Sequence, residues 1–530
     1  MTHVILVSLD TTRADRLSCY GHFRRTSPHL DRLAEEGALF TDFFSPHIPT
    51  FPGHTTMMTG KDVYAHQVTG QSGKFAPPEG VRMLAELLQE QGYFTAAADN
   101  LGRWFARGFS LLQDYHWDTS QSQAWRKGEA VAQASLQILN AAAAQDKPFF
   151  LFLHFWDPHT PYLPPAPFDR MFYEGDEKDP ANRSMDPVWE FENFKYYFAE
   201  WMPGVTDIEF PKAQYDASVA YMDTCFAHVL TRLDELGLSA DTLVVVTADH
   251  GEELDEHAHW FDHHGLYDTN VHIPLLMRCP SLLPAGARVG GLTNMLDIAP
   301  TILDILELDD IAEREGMQGA SLLPLIFSPA ATARGTTDYL HLTENTWMKK
   351  RGLRTHEWKL IVPLEIPDLH GNSDVELYHL TEDPGELRNV AAERPEIVHR
   401  LRRQMTAWVR ERVAATGRRD PLPRQPIPLR RIGNVAVAVP RDEQRPEGKR
   451  EKGKGKREEG REEREEGKGK REASQMPNVE PSERPTPPAK RVMPNVPTRR
   501  DSDGDVKLPA GDFVGYERKP KRARAQKADR

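Results

Sequence analysis

Thr50 is a hydroxyl residue that stands two positions before a proline. Pro52 suits the first turn of a helix, because the N–H that proline lacks would be unpaired there. A helix over residues 52–58 would direct its free N–H groups and the positive end of its dipole back towards Thr50. A hydroxyl beside such an anion site is the nucleophile that phosphoryl or sulfuryl transfer requires. A loop that opens an ordinary helix would show the same residues.

Three more candidate residues follow two apolar runs. Residues 4–9 lead to Asp10, and residues 243–248 lead to Asp249 and His250. Such runs indicate buried parallel strands, and ligands of open α/β sheets lie beyond the carboxyl ends of strands. Oxygen ligands with one imidazole suit Zn²⁺, Mn²⁺, Mg²⁺ or Ca²⁺, so a divalent metal ion is predicted and its identity stays open. Taken alone, each acid would more often be a helix cap.

The elements that position these residues alternate between helices and buried strands. This alternation predicts a mixed, mostly parallel sheet sandwiched by helices, an α/β fold. Ser27 is the predicted N-cap of a helix that Gly37 ends. Further helices are predicted at 81–91, 129–144, 213–236, 297–304 and 395–413, and further strands at 38–40, 92–98, 148–154 and, as a strand pair, 351–361.

Composition divides the chain into three predicted parts. Residues 1–330 are expected to form the catalytic domain, and residues 331–415 a smaller α+β subdomain. Residues 416–530 are rich in Pro, Lys, Arg and Glu, and cannot bury enough apolar surface to fold, so we expect a disordered tail. Residues 163–212, rich in Pro and aromatics, indicate an insertion over the active-site edge or a surface loop.

Charge and cysteine usage exclude several classes of protein. The formal net charge is −13 over 530 residues, which argues against nucleic-acid binding. The chain has three widely spaced cysteines, Cys19, Cys225 and Cys279, which form no disulfide or zinc-finger pattern. No apolar run is long enough to span a bilayer, and no signal peptide precedes the first strand. A cytoplasmic location is the expectation, and the oligomeric state stays open.

Several motifs, in order over about residues 1–415, resemble the sulfatase family of the alkaline phosphatase superfamily. The motifs are Leu9-Asp10-Thr11-Thr12-Arg13-Ala14-Asp15 with Cys19-Tyr20-Gly21, the Pro52 to Gly60 block, Phe152-Leu153-His154-Phe155-Trp156-Asp157-Pro158-His159, Thr247-Ala248-Asp249-His250-Gly251-Glu252, and Glu376-Leu377-Tyr378-His379-Leu380 with Asp383-Pro384.

The resemblance implies roles for further residues. Thr50 falls at the position of the family's nucleophile and metal ligand, and His54 at the basic residue four positions later. His159 follows the Asp-Pro pair, and His263 is the candidate for the family's lysine. Two weaker candidates for substrate contact are Asn100, at a strand end, and His66, after the nucleophile helix; a plain loop role fits both as well.

Departures from the family bear on the substrate. Sulfatases oxidise Cys or Ser to formylglycine at the position of Thr50 and have Arg at that of His54. Thr11 replaces the second acid of the family's Asp-Asp pair, and the family's Gly-Lys-x-His segment is missing near Asp99-Asn100. We therefore predict a hydrolase of small phosphoric mono- or diesters. The alternatives are a sulfuric ester hydrolase and a non-catalytic binding protein on the same scaffold.

Overall fold

The computed structural model describes residues 2–71, 75–119, 124–328 and 335–427. Its strands are, in chain order, β1 (His3–Leu9), β2 (Ala38–Phe40), β3 (Phe43–Phe44), β4 (His47–Ile48), β5 (Phe94–Ala98), β6 (Leu111–Gln113), β7 (Phe149–Phe155), β8 (Thr242–Thr247), β9 (Leu275–Arg278), β10 (Ala287–Val289), β11 (Thr293–Asn294), β12 (Tyr339–Asn345), β13 (Lys349–Thr355), β14 (Trp358–Pro363) and β15 (Glu376–His379). Its α-helices are α1 (Pro28–Glu35), α2 (Thr50–Thr59), α3 (Val63–His66), α4 (Leu84–Glu90), α5 (Lys127–Ala143), α6 (Asp186–Glu190), α7 (Lys195–Trp201), α8 (Glu209–Glu235), α9 (Asp268–Val271), α10 (Ile298–Ile305), α11 (Asp309–Arg314), α12 (Leu323–Phe327) and α13 (Pro395–Thr416).

The large sheet has eight strands in the order β10-β2-β9-β8-β1-β7-β5-β6. Strand β9 runs antiparallel to both its neighbours, and the other pairs are parallel. Strands β1, β7 and β8 are almost wholly buried, as their apolar sequences require. Helix α5 packs on β5, β7 and α8, and α2 packs with α4 and α10. The predicted mixed, mostly parallel sheet flanked by helices is confirmed.

A second sheet has the order β15-β14-β13-β12-β4. Four of its strands form an antiparallel meander, and β4 joins its edge in parallel to β12. Because β4 comes directly before α2, this sheet holds the chain that leads into Thr50. Helix α13 packs against β13 and β14.

The N-terminus of α1 differs from the prediction that Ser27 caps it. The Ser27 side chain makes no capping hydrogen bond; its hydroxyl bonds to Ser18 and Asp31 instead. The backbone N–H groups of His29 and Leu30 donate to the Asp223 carboxylate on α8, at 3.0 and 2.9 Å. A side chain distant in sequence satisfies the helix end, so the nearby serine is not needed there.

The predicted tail begins at residue 416, yet the segment after α13 packs against the fold. Leu422 is buried beside Val63 and Tyr64, and Gln425 bonds to Thr69. Residues 428–530, which include most of the predicted tail, lie outside the described residues. In the described part of the chain, no helix has the length and apolar character needed to cross a membrane.

Candidate active site

The carboxyl ends of β1 and β8 lie side by side, because the two strands pair in parallel with Ser8 opposite Thr247. Asp10 follows β1, and Asp249 and His250 follow β8. The structure therefore brings these three buried residues to one edge of the sheet. One ligand atom from each lies within 4.8 Å of those of the other two.

Two carboxylate oxygens of this cluster are buried and, among the described residues, have no hydrogen-bond partner: Asp10 Oδ1 and Asp249 Oδ2. The other Asp249 oxygen accepts from the backbone N–H groups of Thr11, at 3.2 Å, and His250, at 2.9 Å. Burying a charged oxygen without a partner is unfavourable, and a bound cation removes that penalty. Two carboxylates and one imidazole therefore fit a divalent metal ion, as the sequence predicts.

Thr50 joins this cluster through His250. Its Oγ1 is buried and lies 3.2 Å from His250 Nε2. The other ring nitrogen, Nδ1, lies 3.0 Å from the carbonyl oxygen of Gly251. Because a carbonyl only accepts, Nδ1 carries the hydrogen, and Nε2 presents its lone pair towards the hydroxyl and the carboxylates.

Helix α2 begins at Thr50, earlier than the predicted start at Pro52. The N–H of Gly53 makes the first helical hydrogen bond, to Pro49 O at 3.1 Å. Pro52 lies inside the first turn, where its missing N–H breaks no bond. Thr50 is thus part of the first turn rather than in front of the helix. A Cβ at Gly53 would lie 3.0 Å from the carbonyl oxygen of Asp249, so glycine lets α2 approach the cluster closely.

His54 lies one turn after Thr50 and is fully buried. Its Nδ1 donates to Thr50 O at 3.1 Å, and its Nε2 accepts from Ser8 Oγ at 2.9 Å. Burial and the positive charge of His154 lower the pKa of His54, which keeps the ring neutral. The side chain therefore fastens the first turn of α2 to β1.

Sequence reasoning missed a pair of residues that support Asp10. His154, at the end of β7, lies 3.2 Å from Asp10 Oδ2 through Nε2 and 3.0 Å from Asp99 Oδ1 through Nδ1. Burial opposes the charged imidazole, but the hydrogen bonds to both acids outweigh it and raise the pKa of His154 to about 10. Burial likewise opposes ionisation of Asp10, but His159, which is protonated at the low pH where Asp10 titrates, and the hydrogen-bonded His154 outweigh it and hold the pKa of Asp10 below its usual range. The available signal was a polar residue at the end of a buried strand.

His263 and His159 lie beside this cluster. The His263 ring stacks on His250 at 4.7 Å between centroids and lies 5.0 Å from the His159 ring. Burial would lower the pKa of His263, but the charges of Asp262 and Glu252 outweigh it and raise the pKa to about 9. Burial lowers the pKa of His159 to about 4. A cationic and a neutral imidazole thus stand beside the cluster.

The two weaker candidates lie further out. Asn100 Oδ1 accepts from Trp156 Nε1 at 2.8 Å, next to the Asp99 that binds His154. Both ring nitrogens of His66 are engaged within its own segment: Nε2 lies 3.1 Å from Thr56 Oγ1, and Nδ1 accepts from the Val68 N–H. The structure therefore places Asn100 beside Trp156 and Asp99, and His66 against the later turns of α2.

Comparison with known families and curated proteins covers most of the chain. The family model described as Sulfatase matches residues 2–308, and that described as N-sulphoglucosamine sulphohydrolase, C-terminal, matches residues 255–411. An N-acetylglucosamine-6-O-sulfatase of Bacteroides thetaiotaomicron is 24% identical, over 73% of this chain and 82% of its own. Arylsulfatase K of Gallus gallus is also 24% identical, over 75% and 81% of the two chains.

Solved structures share the fold. A phosphonate monoester hydrolase of Agrobacterium radiobacter superposes with a TM-score of 0.61 at 21% identity, covering 78% of this chain and 96% of its own. A protein solved with its substrate D-glucosamine-2-N,6-O-disulfate gives a TM-score of 0.61 at 20% identity, covering 80% and 100%. With the family model spanning more than half of the chain, the protein belongs to the sulfatase family of the alkaline phosphatase superfamily and is an ester-hydrolysing enzyme.

Proposed function

We propose that this enzyme hydrolyses small phosphoric mono- or diesters with Thr50 as the nucleophile. The observation that carries the proposal is the position of the Thr50 hydroxyl, 3.2 Å from His250 Nε2 at the edge that also holds Asp10 and Asp249. The convergence of Thr50, Asp10, Asp249 and His250 in one buried cluster argues against a non-catalytic binding protein on the same scaffold. The phosphonate monoester hydrolase with the same fold supports phosphorus chemistry on this architecture.

The type of nucleophile distinguishes phosphate from sulfate. A formylglycine hydrate can expel sulfate by breaking its own C–O bond, whereas a threonine ester cannot. A threonine sulfate would have to wait for water to attack sulfur, while a phosphothreonine is resolved by water at phosphorus. Since Thr50 keeps its side chain as an alcohol, phosphorus chemistry suits it better.

The residues present supply the steps. The Thr50 hydroxyl gives up its proton to water, its oxygen forms a bond to phosphorus, and the bond to the leaving oxygen breaks as that oxygen takes a proton from His263. Water then attacks the phosphothreonine and releases phosphate or a phosphomonoester. A divalent ion held by Asp10, Asp249 and His250 would, when bound, supply Lewis-acid activation of the hydroxyl and of the phosphoryl group.

Two histidines suit the charge that develops on the transferred group. His263 lies against His250, and His159 against His263, so both rings lie beside the cluster. We assign charge stabilisation and proton delivery to the leaving oxygen to the cationic His263, and contact with the substrate to the neutral His159. His54 positions the helix turn of Thr50 through the 3.1 Å bond to its carbonyl oxygen.

Sulfuric ester hydrolysis is the second candidate, because curated relatives along most of the chain are sulfatases. One substrate panel separates the two. Purified enzyme is assayed with p-nitrophenyl phosphate, bis-p-nitrophenyl phosphate, a p-nitrophenyl phosphonate and p-nitrophenyl sulfate, each with Mn²⁺, Zn²⁺, Ca²⁺ and Mg²⁺. We expect the highest kcat/KM for a phosphorus ester. A higher kcat/KM for the sulfate would overturn the proposal in favour of the sulfatase.

A further inference from the structure

A second group of histidines lies apart from the cluster around Thr50. His259, His264 and His370 each direct one ring nitrogen to within 4.8 Å of the other two. His263 and His264 are adjacent in sequence but serve different places: His263 stacks on His250, whereas His264 Nε2 lies 2.9 Å from His370 Nε2. We call His259, His264 and His370 the histidine trio.

Hydrogen bonds on the outer side of two rings fix which nitrogen faces inward. His264 Nδ1 lies 3.2 Å from Asp262 Oδ1, and His259 Nδ1 donates to the carbonyl oxygen of His264 at 3.1 Å. Each partner is an acceptor, so each Nδ1 carries a hydrogen and each Nε2 keeps a lone pair. Asp262 is itself held by Trp347 Nε1 at 3.3 Å. An imidazole backed by a carboxylate or a carbonyl is the usual arrangement around a protein-bound metal.

The surroundings favour neutral imidazoles. His259 and His264 are buried, and His370 is half-buried with Phe191 stacked on its ring at 4.9 Å. Burial and the neighbouring His264 lower the pKa of His370 to about 2. The neighbouring Lys350 is paired with Asp368 and with a glutamate on β15, at 3.1 and 3.0 Å.

One hydrogen bond links two of the inward nitrogens of the trio, because His264 and His370 can share one hydrogen between their Nε2 atoms. With its Nδ1 bonded to the His264 carbonyl oxygen, His259 presents the Nε2 lone pair to the same place. The rings of His259 and His264 both stack on His370, so an ion at their nitrogen edges could bind all three. Zinc–nitrogen bonds of about 2.0–2.1 Å in tetrahedral geometry separate ligand nitrogens by about 3.3 Å. The Nε2 atoms of His264 and His370 lie 2.9 Å apart, and the ligand nitrogens of the trio all lie within 4.8 Å of one another. The spacing that zinc requires falls between these two values.

We propose that the histidine trio binds a transition-metal ion of the zinc type, in a site separate from the one at Asp10 and Asp249. Three imidazoles suit Zn²⁺, Co²⁺ or Cu²⁺ and disfavour Mg²⁺ and Ca²⁺. The ion would join the loop after β8, which carries His263, to the loop between β14 and β15, which carries His370. It would thereby brace His263 beside the cluster around Thr50.

The test counts ions and reads their spectra, so it does not depend on the proposed reaction. Full-length protein is stripped with a chelator and titrated with Co²⁺, and Zn²⁺ content is measured by mass spectrometry after dialysis. We compare the wild type with His370→Ala, with Asp249→Ala and with the exposed control His116→Ala. We expect the intense visible absorption of four-coordinate Co²⁺ in the wild type, Asp249→Ala and His116→Ala. His370→Ala should lack this absorption and should bind one Zn²⁺ per chain fewer than the wild type.

Folding is checked by thermal unfolding of the metal-free proteins. If His370→Ala fails to fold, His370→Gln replaces it, since glutamine has a similar size and no imidazole. Wild-type Co²⁺ absorption and wild-type Zn²⁺ content in a folded His370 variant would overturn the proposal. Loss of all bound ion in Asp249→Ala would overturn it as well, since the trio would then hold none. Failure of the phosphoester assay with both ion counts as expected would instead count against the proposed function alone.

Discussion

At the scale of the residue, Thr11, which follows Asp10 of the cluster, has an unusual backbone conformation. It has φ 54°, in the left-handed region that β-branched residues avoid. This strained backbone turns its N–H towards Asp249 Oδ1, at 3.2 Å. Its buried Oγ1 has no hydrogen-bond partner among the described residues. The position that resembles the second acid of the family pair therefore contributes a backbone contact instead of a carboxylate.

This observation leads to a prediction about metal affinity. Thr11→Asp should bind Mn²⁺ or Ca²⁺ about tenfold more tightly, because it adds a carboxylate to a site with two. Asp also tolerates the left-handed region better than Thr. Thr11→Asn is the matched control, since it relieves the same strain without adding charge. Calorimetric titration of the stripped proteins measures both. Equal gains in the two variants would show that strain, not charge, limits binding.

A second residue-scale prediction concerns the nucleophile. Thr50→Ala should lower kcat by roughly 10³-fold or more, because no other group supplies the attacking oxygen. Thr50→Ser should keep part of the activity, since the hydroxyl remains. The ion site should persist in both variants, because Asp10, Asp249 and His250 are unchanged.

Thr59→Ala is the control for this series, because it removes a hydroxyl from the same helix that bonds only within the chain around it. Kinetics on the preferred p-nitrophenyl ester are combined with mass analysis of the Thr50 peptide after acid quenching. A phosphorylated residue at position 50 is expected in the wild type, in Thr59→Ala and, to a lower extent, in Thr50→Ser, and is expected to be absent from Thr50→Ala. Turnover of Thr50→Ala at the wild-type rate would end the assignment.

At the scale of the element, the sequence predicts the site residues that a local pattern marks. It does not predict those that are placed by contacts between segments distant along the chain. Asp10 and Asp249 close apolar runs that can be recognised locally, so their meeting at one sheet edge was predictable. His154 lies inside the run Phe149–Phe155, and its role depends on β7 being the neighbour of β1, which no local pattern gives. The start of α2 at Thr50 and the capping of α1 by Asp223 likewise depend on contacts that form only in the folded chain.

The contact between Asp223 and α1 gives a prediction on stability. Asp223→Ala should reduce the free energy of unfolding by about 1–2 kcal/mol, because two N–H groups at the start of the helix lose their acceptor. Burial raises the pKa of Asp223 to about 7, above its usual value near 4. The folded state thus holds the proton more tightly, so this group's contribution is full below about pH 4 and is lost as the pH rises through 7.

Urea unfolding at pH 5 and pH 8 measures this effect. The difference in stability between the wild type and Asp223→Ala should be larger at pH 5 than at pH 8. Asp223→Asn is the control, since it keeps one acceptor and cannot titrate. It should lose less stability than the alanine variant at pH 8. A difference between wild type and alanine variant that grows with pH would contradict the assigned direction of the pKa.

At the scale of the whole molecule, the C-terminal part of the chain supports the N-terminal site. Strand β4, directly before Thr50, is an edge strand of the C-terminal sheet, so this sheet positions the start of α2. The segment after α13 extends this support. Gln425 accepts from Thr69 Oγ1 at 2.6 Å, and its carbonyl oxygen accepts from Lys349 Nζ at 2.9 Å. The folded part of the chain therefore continues to at least residue 427.

Two shortened chains test at which residue the part of the chain that folding and turnover require ends. A chain that stops at residue 445 should have the same free energy of unfolding as the full chain and the same turnover of p-nitrophenyl esters. The charged, Pro-rich remainder adds little to a core. A chain that stops at Thr416 should lose about 2 kcal/mol or more, since it removes the fully buried Leu422 and an acceptor of the buried Lys349. Leu422→Ala in the full chain isolates the apolar part of that loss. Urea unfolding compares the four proteins, and equal stability of the two shortened chains would place the end of the fold at α13.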